Sequence, residues 1–158
     1  MVNRIISLLI VLMTTLMALS LGNDATASGI DMDLGDSSAS FLGEFLRDES
    51  GSSVAGAGDV NGDGYDDILI GAPINGDGAY LGGKTYLILG NESQWSMDTD
   101  LSKADASFLG ENQEDSSGSS VAGAGDVNGD GYDDILIGAF ANGDGGTLAG
   151  QTYLILGK

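Results

Sequence analysis

The chain has 158 residues, a formal net charge of -19, no cysteine and no histidine. Its 27 glycines and 42% hydrophobic residues argue against a disordered acidic tail and favour a turn-rich β protein with a modest core. Five Lys and Arg against 24 Asp and Glu leave no basic surface for phosphate, so we expect no nucleic-acid partner, and calcium is the natural counter-charge.

The first 27 residues have the pattern of a secretory signal peptide. Asn3 and Arg4 precede an apolar stretch over residues 5–21, and Ala25 to Ala27 spell the small-residue pattern of a signal peptidase site. We therefore predict export to a secreted or cell-surface location, with cleavage after Ala27. The alternative is an uncleaved membrane anchor, because the stretch is nearly long enough to cross a bilayer. An anchor of this kind is the only membrane contact that we expect.

The rest of the sequence consists of two near copies. Residues 39–90 and 106–157 align without a gap at a step of 67 residues, and ten of the 52 aligned positions differ. A tandem repeat of this length predicts stacked supersecondary units. We divide the chain into a signal peptide (1–27), repeat 1 (31–90), a connector (91–105) and repeat 2 (106–158).

Each repeat contains four apolar runs with strand character, separated by clusters of Gly, Asn and Asp. The runs of repeat 1 are 39–44, 52–60, 66–72 and 84–90, and those of repeat 2 begin at residues 106, 119, 133 and 151. Consecutive apolar residues, as in Ile68 to Ile70, indicate strands that are covered on both faces. Four strands per repeat are typical of a propeller blade. We predict an all-β fold of two four-stranded antiparallel sheets.

The sequence DVNGDGYDD occurs twice, at residues 59–67 and 126–134. Oxygen-bearing side chains at alternate positions of a tight loop, with one backbone carbonyl, can surround a hard cation, and glycine at position 6 permits the chain to reverse. The spacing predicts two calcium sites, one per repeat. The predicted ligands are Asp59, Asn61, Asp63, Tyr65 (through its carbonyl) and Asp67, with their copies Asp126, Asn128, Asp130, Tyr132 and Asp134.

These loops do not fit an EF-hand, which requires Glu at position 12 and a helix on each flank. Position 12 is Ile70 in the first copy and Ile137 in the second, so the Asp at position 9 has to close the site. Without a cation, neighbouring carboxylates would repel by about a few kcal/mol per pair. Asp66 and Asp133 are next to the last ligand and, by strand alternation, point away from the ion. The alternative is that Asp, Asn and Gly here only form a turn.

The run DVNGDGYDDILIGAP at 59–73, preceded by SFLGE at 40–44, resembles the FG-GAP repeat of the N-terminal β-propeller of integrin α subunits and of many exported microbial proteins. The resemblance implies propeller-type blades and places the ten predicted ligands in the loop between a blade's first two strands. Two features depart from the usual pattern: Leu42 is inserted between Phe and Gly, and Phe140 replaces a proline. Two blades cannot close a ring, so we expect an incomplete propeller.

In propellers of this type the sequence repeat is offset from the blade. We therefore expect residues 39–44 to pair with the open sheet edge that is left after Leu156. Otherwise the chain exposes strand edges that invite pairing with other copies.

An enzymatic function has little support in the composition. Without His or Cys, the commonest general bases, nucleophiles and zinc ligands are missing. Residues 78–85 match the P-loop pattern, but a strand-like sequence follows where a phosphate site needs a helix, so we expect no nucleotide.

We therefore predict a non-enzymatic, exported, calcium-stabilised interaction module. By resemblance, it would bind a protein or glycan ligand at the cell surface, and self-association is a second mode of interaction. The alternative is a structural scaffold repeat of a surface-layer protein or of an exported hydrolase.

Overall fold

Strands make up nearly all regular structure in the computed structural model, which describes residues 32–93 and 95–158. The predicted signal peptide lies outside these residues. The strands are β1 (Phe41–Leu42), β2 (Ser53–Gly58), β3 (Asp67–Ala72), β4 (Lys84–Ile88), β5 (Thr99–Asp100), β6 (Ala106–Leu109), β7 (Ser117–Gly125), β8 (Asp134–Ala139) and β9 (Gln151–Ile155). Two 3-10 turns, Leu34–Asp36 and Leu101–Lys103, are the helical elements of the described part. The all-β prediction is confirmed.

The first sheet contains four antiparallel strands in the order β2, β3, β4, β6. Its outer strand β6 belongs to repeat 2 in the sequence, and pairs with β4 so that Phe108 lies opposite Thr85 and Ala106 opposite Leu87. The connector supplies the crossing from one repeat to the next. The blade is therefore offset from the sequence repeat by one strand.

The second sheet has three strands, in the order β7, β8, β9, rather than the predicted four. The expectation that residues 39–44 complete this sheet is wrong for the single chain. The short strand β1 instead pairs in parallel with β5, with Phe41 opposite Thr99. The Thr99 N–H donates to the Ser40 carbonyl (2.9 Å), and Phe41 packs against a cluster that contains Leu101. This local connector contact holds β1 beside the first repeat.

Two hydrophobic clusters lie on the two faces of the first sheet. One joins the repeats and contains Ala57, Val60, Leu69, Leu87, Ile135 and Ile137. The other contains Ile70, Ala72, Tyr86, Ile88 and Leu101. Adjacent residues such as Leu69 and Ile70 point to opposite faces of β3, and both are buried, so the strand is covered on both faces as predicted. Each fully buried Leu or Ile contributes about 1.5–3 kcal/mol.

Close backbone approach joins the innermost strands of the two repeats. A Cβ atom placed on Gly123 of β7 would lie 2.8 Å from the carbonyl oxygen of Gly56 in β2, which is too close for a side chain. The glycines of the VAGAG sequence, at residues 54–58 and 121–125, therefore permit the two sheets to pack backbone to backbone.

The equivalent strands β4 and β9 differ in burial. Leu87 in β4 is 8% exposed, whereas its copy Leu154 in β9 is 49% exposed. Consecutive apolar residues therefore do not indicate coverage on both faces at β9. The reason is that β6 and repeat 2 cover β4, while β8 is the strand neighbour of β9 in the described residues.

Candidate functional site

The two nine-residue motifs form equivalent loops between the first two strands of each sheet. The loop over residues 59–66 joins β2 to β3, and the loop over residues 126–133 joins β7 to β8. Asp67 and Asp134 are the first residues of the following strands. Strands flank both loops, in agreement with the prediction that excluded an EF-hand.

Backbone amides hold the side chains of the first loop. Both oxygens of the Asp59 carboxylate accept hydrogen bonds, Oδ1 from the Asp63 N–H (3.0 Å) and Oδ2 from the Gly64 N–H (2.9 Å). Asp63 Oδ1 accepts from the Tyr65 N–H (2.9 Å), and the Asn61 amide donates to Asp63 Oδ2 (2.8 Å). Gly64 has φ of 90°, a left-handed conformation that favours glycine. The local sequence thus brings Asp59, Asn61 and Asp63 together.

The second loop repeats these contacts. Asp126 accepts from the Asp130 N–H (3.1 Å) and the Gly131 N–H (2.9 Å), and the Asn128 amide donates to Asp130 Oδ2 (2.7 Å). A further bond comes from Gly129, whose N–H lies 2.7 Å from Asp126 Oδ1. The Gly131 N–H and the other amide donors lower the pKa of the Asp126 carboxyl from its ordinary value, because they stabilise its charged form.

The last acid of each motif connects its loop to the sheet. Asp67 is 1% exposed, and its carboxylate accepts from the Val60 N–H (2.9 Å) and the Gly90 N–H (2.7 Å). Burial raises the pKa of Asp67, the two amide donors oppose that rise, and the charges of Asp63 and Asp59 add to it. The negative charges of the loop therefore favour the protonated form of the Asp67 carboxyl, as burial does.

The copy of this residue, Asp134, makes the same bonds to the Val127 N–H and the Gly157 N–H, each at 2.9 Å. Position 9 is therefore an anchor between loop and strand in both repeats. Calcium coordination would be an additional role for these carboxylates.

No basic side chain neutralises the loop carboxylates within the described residues. The ion pairs found there join Lys84 to Glu44 (2.6 Å) and to Asp77 (3.0 Å), and both lie outside the loops. As the side chains stand, no group of three or more Asp, Glu, His or Cys in residues 32–93 and 95–158 is arranged to hold a metal ion. The loops do offer carboxylate and amide oxygens under excess negative charge, which is the donor chemistry that suits a hard cation such as Ca²⁺.

Asp133, which is not one of the predicted ligands, joins the two repeats. Its Oδ2 accepts from the Asp59 N–H (2.9 Å), and its own N–H donates to the Asp59 carbonyl (3.1 Å). Strand alternation correctly turns this side chain away from its own loop, but it then meets the loop of the preceding repeat. The duplicated Asp-Asp pair at the end of each motif was the available sequence signal.

A second polar cluster was not anticipated from the sequence. The Lys84 ammonium donates to Glu44 Oε2, and the Tyr86 hydroxyl donates to the same oxygen (2.8 Å). Lys84 is the lysine of the P-loop-like sequence, and it begins strand β4 rather than a helix. The Lys84 ammonium is therefore paired with carboxylates, and it does not stand at the N-terminus of a helix, as a phosphate-binding lysine of a P-loop would.

Repeat 2 contains the same cluster without the lysine. Gln151 replaces Lys84, while the Tyr153 hydroxyl donates to Glu111 Oε2 (3.0 Å). Partial burial, together with the hydrogen bond and charge of Glu111, raises the pKa of Tyr153 to about 12. Burial and Glu44 raise the pKa of Tyr86 still further.

Within residues 32–93 and 95–158, no helix has the length and the apolar character needed to span a membrane.

Residues 50–88 and 117–155 match the FG-GAP repeat family, and each matched range contains one of the two loops. The chain is also similar to animal integrin alpha subunits. It is 38% identical over 98 residues to integrin alpha pat-2 of Caenorhabditis briggsae, 34% over 126 residues to integrin alpha-PS2 of Drosophila melanogaster, and 36% over 101 residues to integrin alpha-6 of Homo sapiens. These alignments cover 62%, 74% and 63% of this chain but 8% of each relative, so the chain spans less than a tenth of their length.

Proposed function

From the premise that this chain is an FG-GAP repeat protein, we propose that it is an exported module that binds one calcium ion in each repeat and serves cell-surface adhesion or protein interaction. The sheets, with no α-helix in the described residues, are consistent with blades of the integrin alpha type. Its role is binding rather than catalysis, in keeping with a sequence that has no His and no Cys.

The observation that carries this proposal is the pair of equivalent acidic loops, which have no basic partner in the part of the chain that the structure describes. In the first loop, the oxygens of Asp59, Asn61 and Asp63 are drawn together by the loop's own amides, and Asp67 anchors its end. Asp126, Asn128, Asp130 and Asp134 repeat this arrangement in the second loop. With the carbonyls of Tyr65 and Tyr132, these residues would hold Ca²⁺, which supplies the positive charge that the loops lack.

Calcium would stabilise the fold because it binds the folded loops and not the unfolded chain. Exported calcium modules often have Kd values of about 10⁻⁴ to 10⁻³ M. At about 10 mM calcium, each site would then add about 1.4 to 2.7 kcal/mol to the free energy of unfolding. Such a contribution is large for a small protein that has no disulfide to stabilise it.

Thermal unfolding with calcium and with a chelator tests the proposal. We expect calcium to raise the Tm of the wild-type chain by several degrees, and the double variant D63A/D130A to lose this increase. The variant E92A/E114A removes two acids outside the loops and is expected to keep it. An equal calcium response in D63A/D130A and in the wild-type chain would overturn the assignment of these residues.

Export is tested by recovering the protein from the producing cells. We expect the chain in the medium or on the cell surface, with Ser28 as its N-terminal residue, because cleavage follows Ala27. Recovery of the intact chain in the cytoplasm would contradict this part of the proposal.

A further inference from the structure

Repeat 2 contacts repeat 1 through one surface on each repeat. Because the sequence is duplicated, each repeat contains the residues of both surfaces. We define the docking face as the strand ASFL with the Val of the VAGAG sequence and the Tyr and first Asp of the YDD sequence. In repeat 2, the docking face consists of β6, Val121, Tyr132 and Asp133. We define the receiving face as the strand TYL with the Asp and Val that begin the loop, which in repeat 1 are β4, Asp59 and Val60.

The contacts between these two faces are specific. Strand β6 pairs with β4 over four residues, and Asp133 exchanges two hydrogen bonds with Asp59. The ring of Tyr132 lies so close to Gly62 that a Cβ atom there would sit 3.0 Å from its Cδ1 atom. Val121 packs against the hydrophobic cluster that contains Val60. The interface therefore combines strand pairing, apolar packing, one hydrogen bond from a backbone N–H to the Asp133 carboxylate and one hydrogen bond between backbone groups.

Repeat 1 carries a second, unused docking face. Residues 39–42 have the same sequence as β6, and Val54, Tyr65 and Asp66 are the copies of Val121, Tyr132 and Asp133. Val54 is 66% exposed and Tyr65 is 42% exposed, although their copies are half-buried in the contact between the repeats.

Repeat 2 carries a second, unused receiving face. Strand β9 has the TYL sequence of β4, and Asp126 and Val127 are the copies of Asp59 and Val60. Val127 is 55% exposed where Val60 is 8% exposed, and Leu154 shows the same contrast with Leu87. Strand β9 has no lysine or proline to protect its edge, which is the usual defence against pairing.

We propose that the receiving face of repeat 2 binds the docking face of repeat 1 in a second copy of this chain. Strand β1 of one copy would become the fourth strand of the other copy's second sheet, lengthened to residues 39–42. In the register seen between β4 and β6, Phe41 would lie opposite Thr152, Ser40 opposite Tyr153 and Ala39 opposite Leu154. The occupant is a second copy because this chain itself carries the complementary strand.

The pairing of β1 with β5 does not occupy the edge that this contact needs. The bond from the Thr99 N–H reaches the Ser40 carbonyl, so Ser40 directs its backbone groups towards β5. In repeat 2, the Gly110 N–H donates to the Gly83 carbonyl. Gly110, Phe108 and Ala106 therefore direct their backbone N–H and C=O groups towards β4. Their equivalents in repeat 1 are Gly43, Phe41 and Ala39, which alternate with Ser40 and face the opposite edge.

Two features of the chain act against the association. The Ala39 carbonyl accepts a hydrogen bond from the Ser37 hydroxyl (3.0 Å), which the incoming strand has to share or displace. Each copy also has a net charge of -19, so two copies repel each other at low ionic strength. We therefore expect association to strengthen as salt is added.

The two faces are different, so the assembly is head-to-tail. Every copy that binds through its docking face leaves its receiving face free, and the assembly grows until a ring closes or continues as an open chain. This geometry makes a mixing experiment possible. A copy with only its docking face and a copy with only its receiving face can form one contact and then stop.

The experiment measures the solution mass of the full chain by sedimentation, in calcium and moderate salt, over a concentration series. V54K blocks the docking face of repeat 1, and L154K blocks the receiving face of repeat 2. Both replaced side chains are exposed in the single chain, so neither variant removes core packing. L46K replaces a side chain that is 91% exposed and belongs to neither face, and it serves as the control.

We expect the wild-type chain and L46K to form assemblies larger than a dimer as concentration rises. V54K and L154K alone are expected to remain monomers, although lysine lowers the charge repulsion, and their equimolar mixture is expected to form a dimer. A wild-type chain that stays monomeric at every concentration and salt would overturn the proposal, as would single variants that associate as strongly as L46K. A mixture that fails to reach a dimer would also overturn it.

Discussion

The two repeats have almost the same sequence but are buried differently. They differ at ten of 52 aligned positions, yet β4 is buried along its whole length while β9 alternates between half-buried and exposed residues. The difference arises because β6 covers the edge of the first sheet and repeat 2 covers one of its faces. Burial in this protein is therefore set by the neighbouring repeat as much as by the residue itself.

The polar clusters show a second difference between the repeats. In repeat 1, Lys84 joins Glu44 and Asp77, whereas Gln151 in repeat 2 leaves Glu111 and Asp144 without an ammonium partner among the described residues. The first cluster contains ion pairs, whereas in the second the Tyr153 hydroxyl donates to Glu111 without a neighbouring ammonium among the described residues. These two contrasts can be tested by matched substitutions.

The largest expected effect comes from truncating the equivalent leucines. L87A removes a buried side chain from the cluster between the repeats and should lower the free energy of unfolding by about 2–5 kcal/mol. L154A removes a half-exposed side chain and should cost less than about 1 kcal/mol. Denaturant unfolding at a concentration where the chain is monomeric measures both. Equal losses would show that the two strands are covered to the same extent.

The next largest effect is expected from exchanging Lys84 and Gln151, the residues that distinguish the two polar clusters. K84Q leaves Glu44 with the Tyr86 hydroxyl alone in a poorly solvated position, and should cost about 1–3 kcal/mol. Q151K places an ammonium near Glu111 and Asp144 at a more open site, and should gain at most about 1 kcal/mol. The comparison is made by chemical unfolding at neutral pH. The prediction would fail if K84Q left the free energy of unfolding unchanged, or if Q151K changed it more than K84Q does.

The smallest effect is the alkaline titration of the equivalent tyrosines. Tyr153, with a pKa raised to about 12, should ionise above the ordinary value of 10 and below Tyr86. Because the folded state raises this pKa, its contribution to stability is complete below pH 10 and is lost as the pH rises towards 12. Ultraviolet absorbance of the wild-type chain minus that of Y153F isolates the step. A difference titration centred near pH 10 would contradict the environment described for Tyr153.

The sequence predicts the strands and the loops well because their signals are local. Apolar runs between Gly and Asp clusters indicate the strands, and the spacing of Asp59, Asn61 and Asp63 indicates a loop whose side chains converge. The pairing of the outer strand was harder to predict, because ASFL at 39–42 and at 106–109 is the same sequence in two environments. Sequence identity cannot distinguish a strand that has a sheet beside it from one that has only a connector.

Asp133 illustrates the same limit at the level of one side chain. Alternation along the strand shows that it points away from its own loop, but the neighbouring repeat that it meets depends on the packing of two sheets. The lysine of the P-loop-like sequence is similar. Its strand location was predicted from the residues that follow it, whereas its partner Glu44 lies 40 positions away and could not be identified from the sequence pattern.

Calorimetric titration of the purified chain with calcium is the most direct test of the central claim, that each duplicated loop binds one ion. We predict two ions per wild-type chain and one ion per chain in each of the single variants D63A and D130A. E92A should still bind two. Absence of binding to the wild-type chain, or two ions retained in D63A and D130A, would contradict the account.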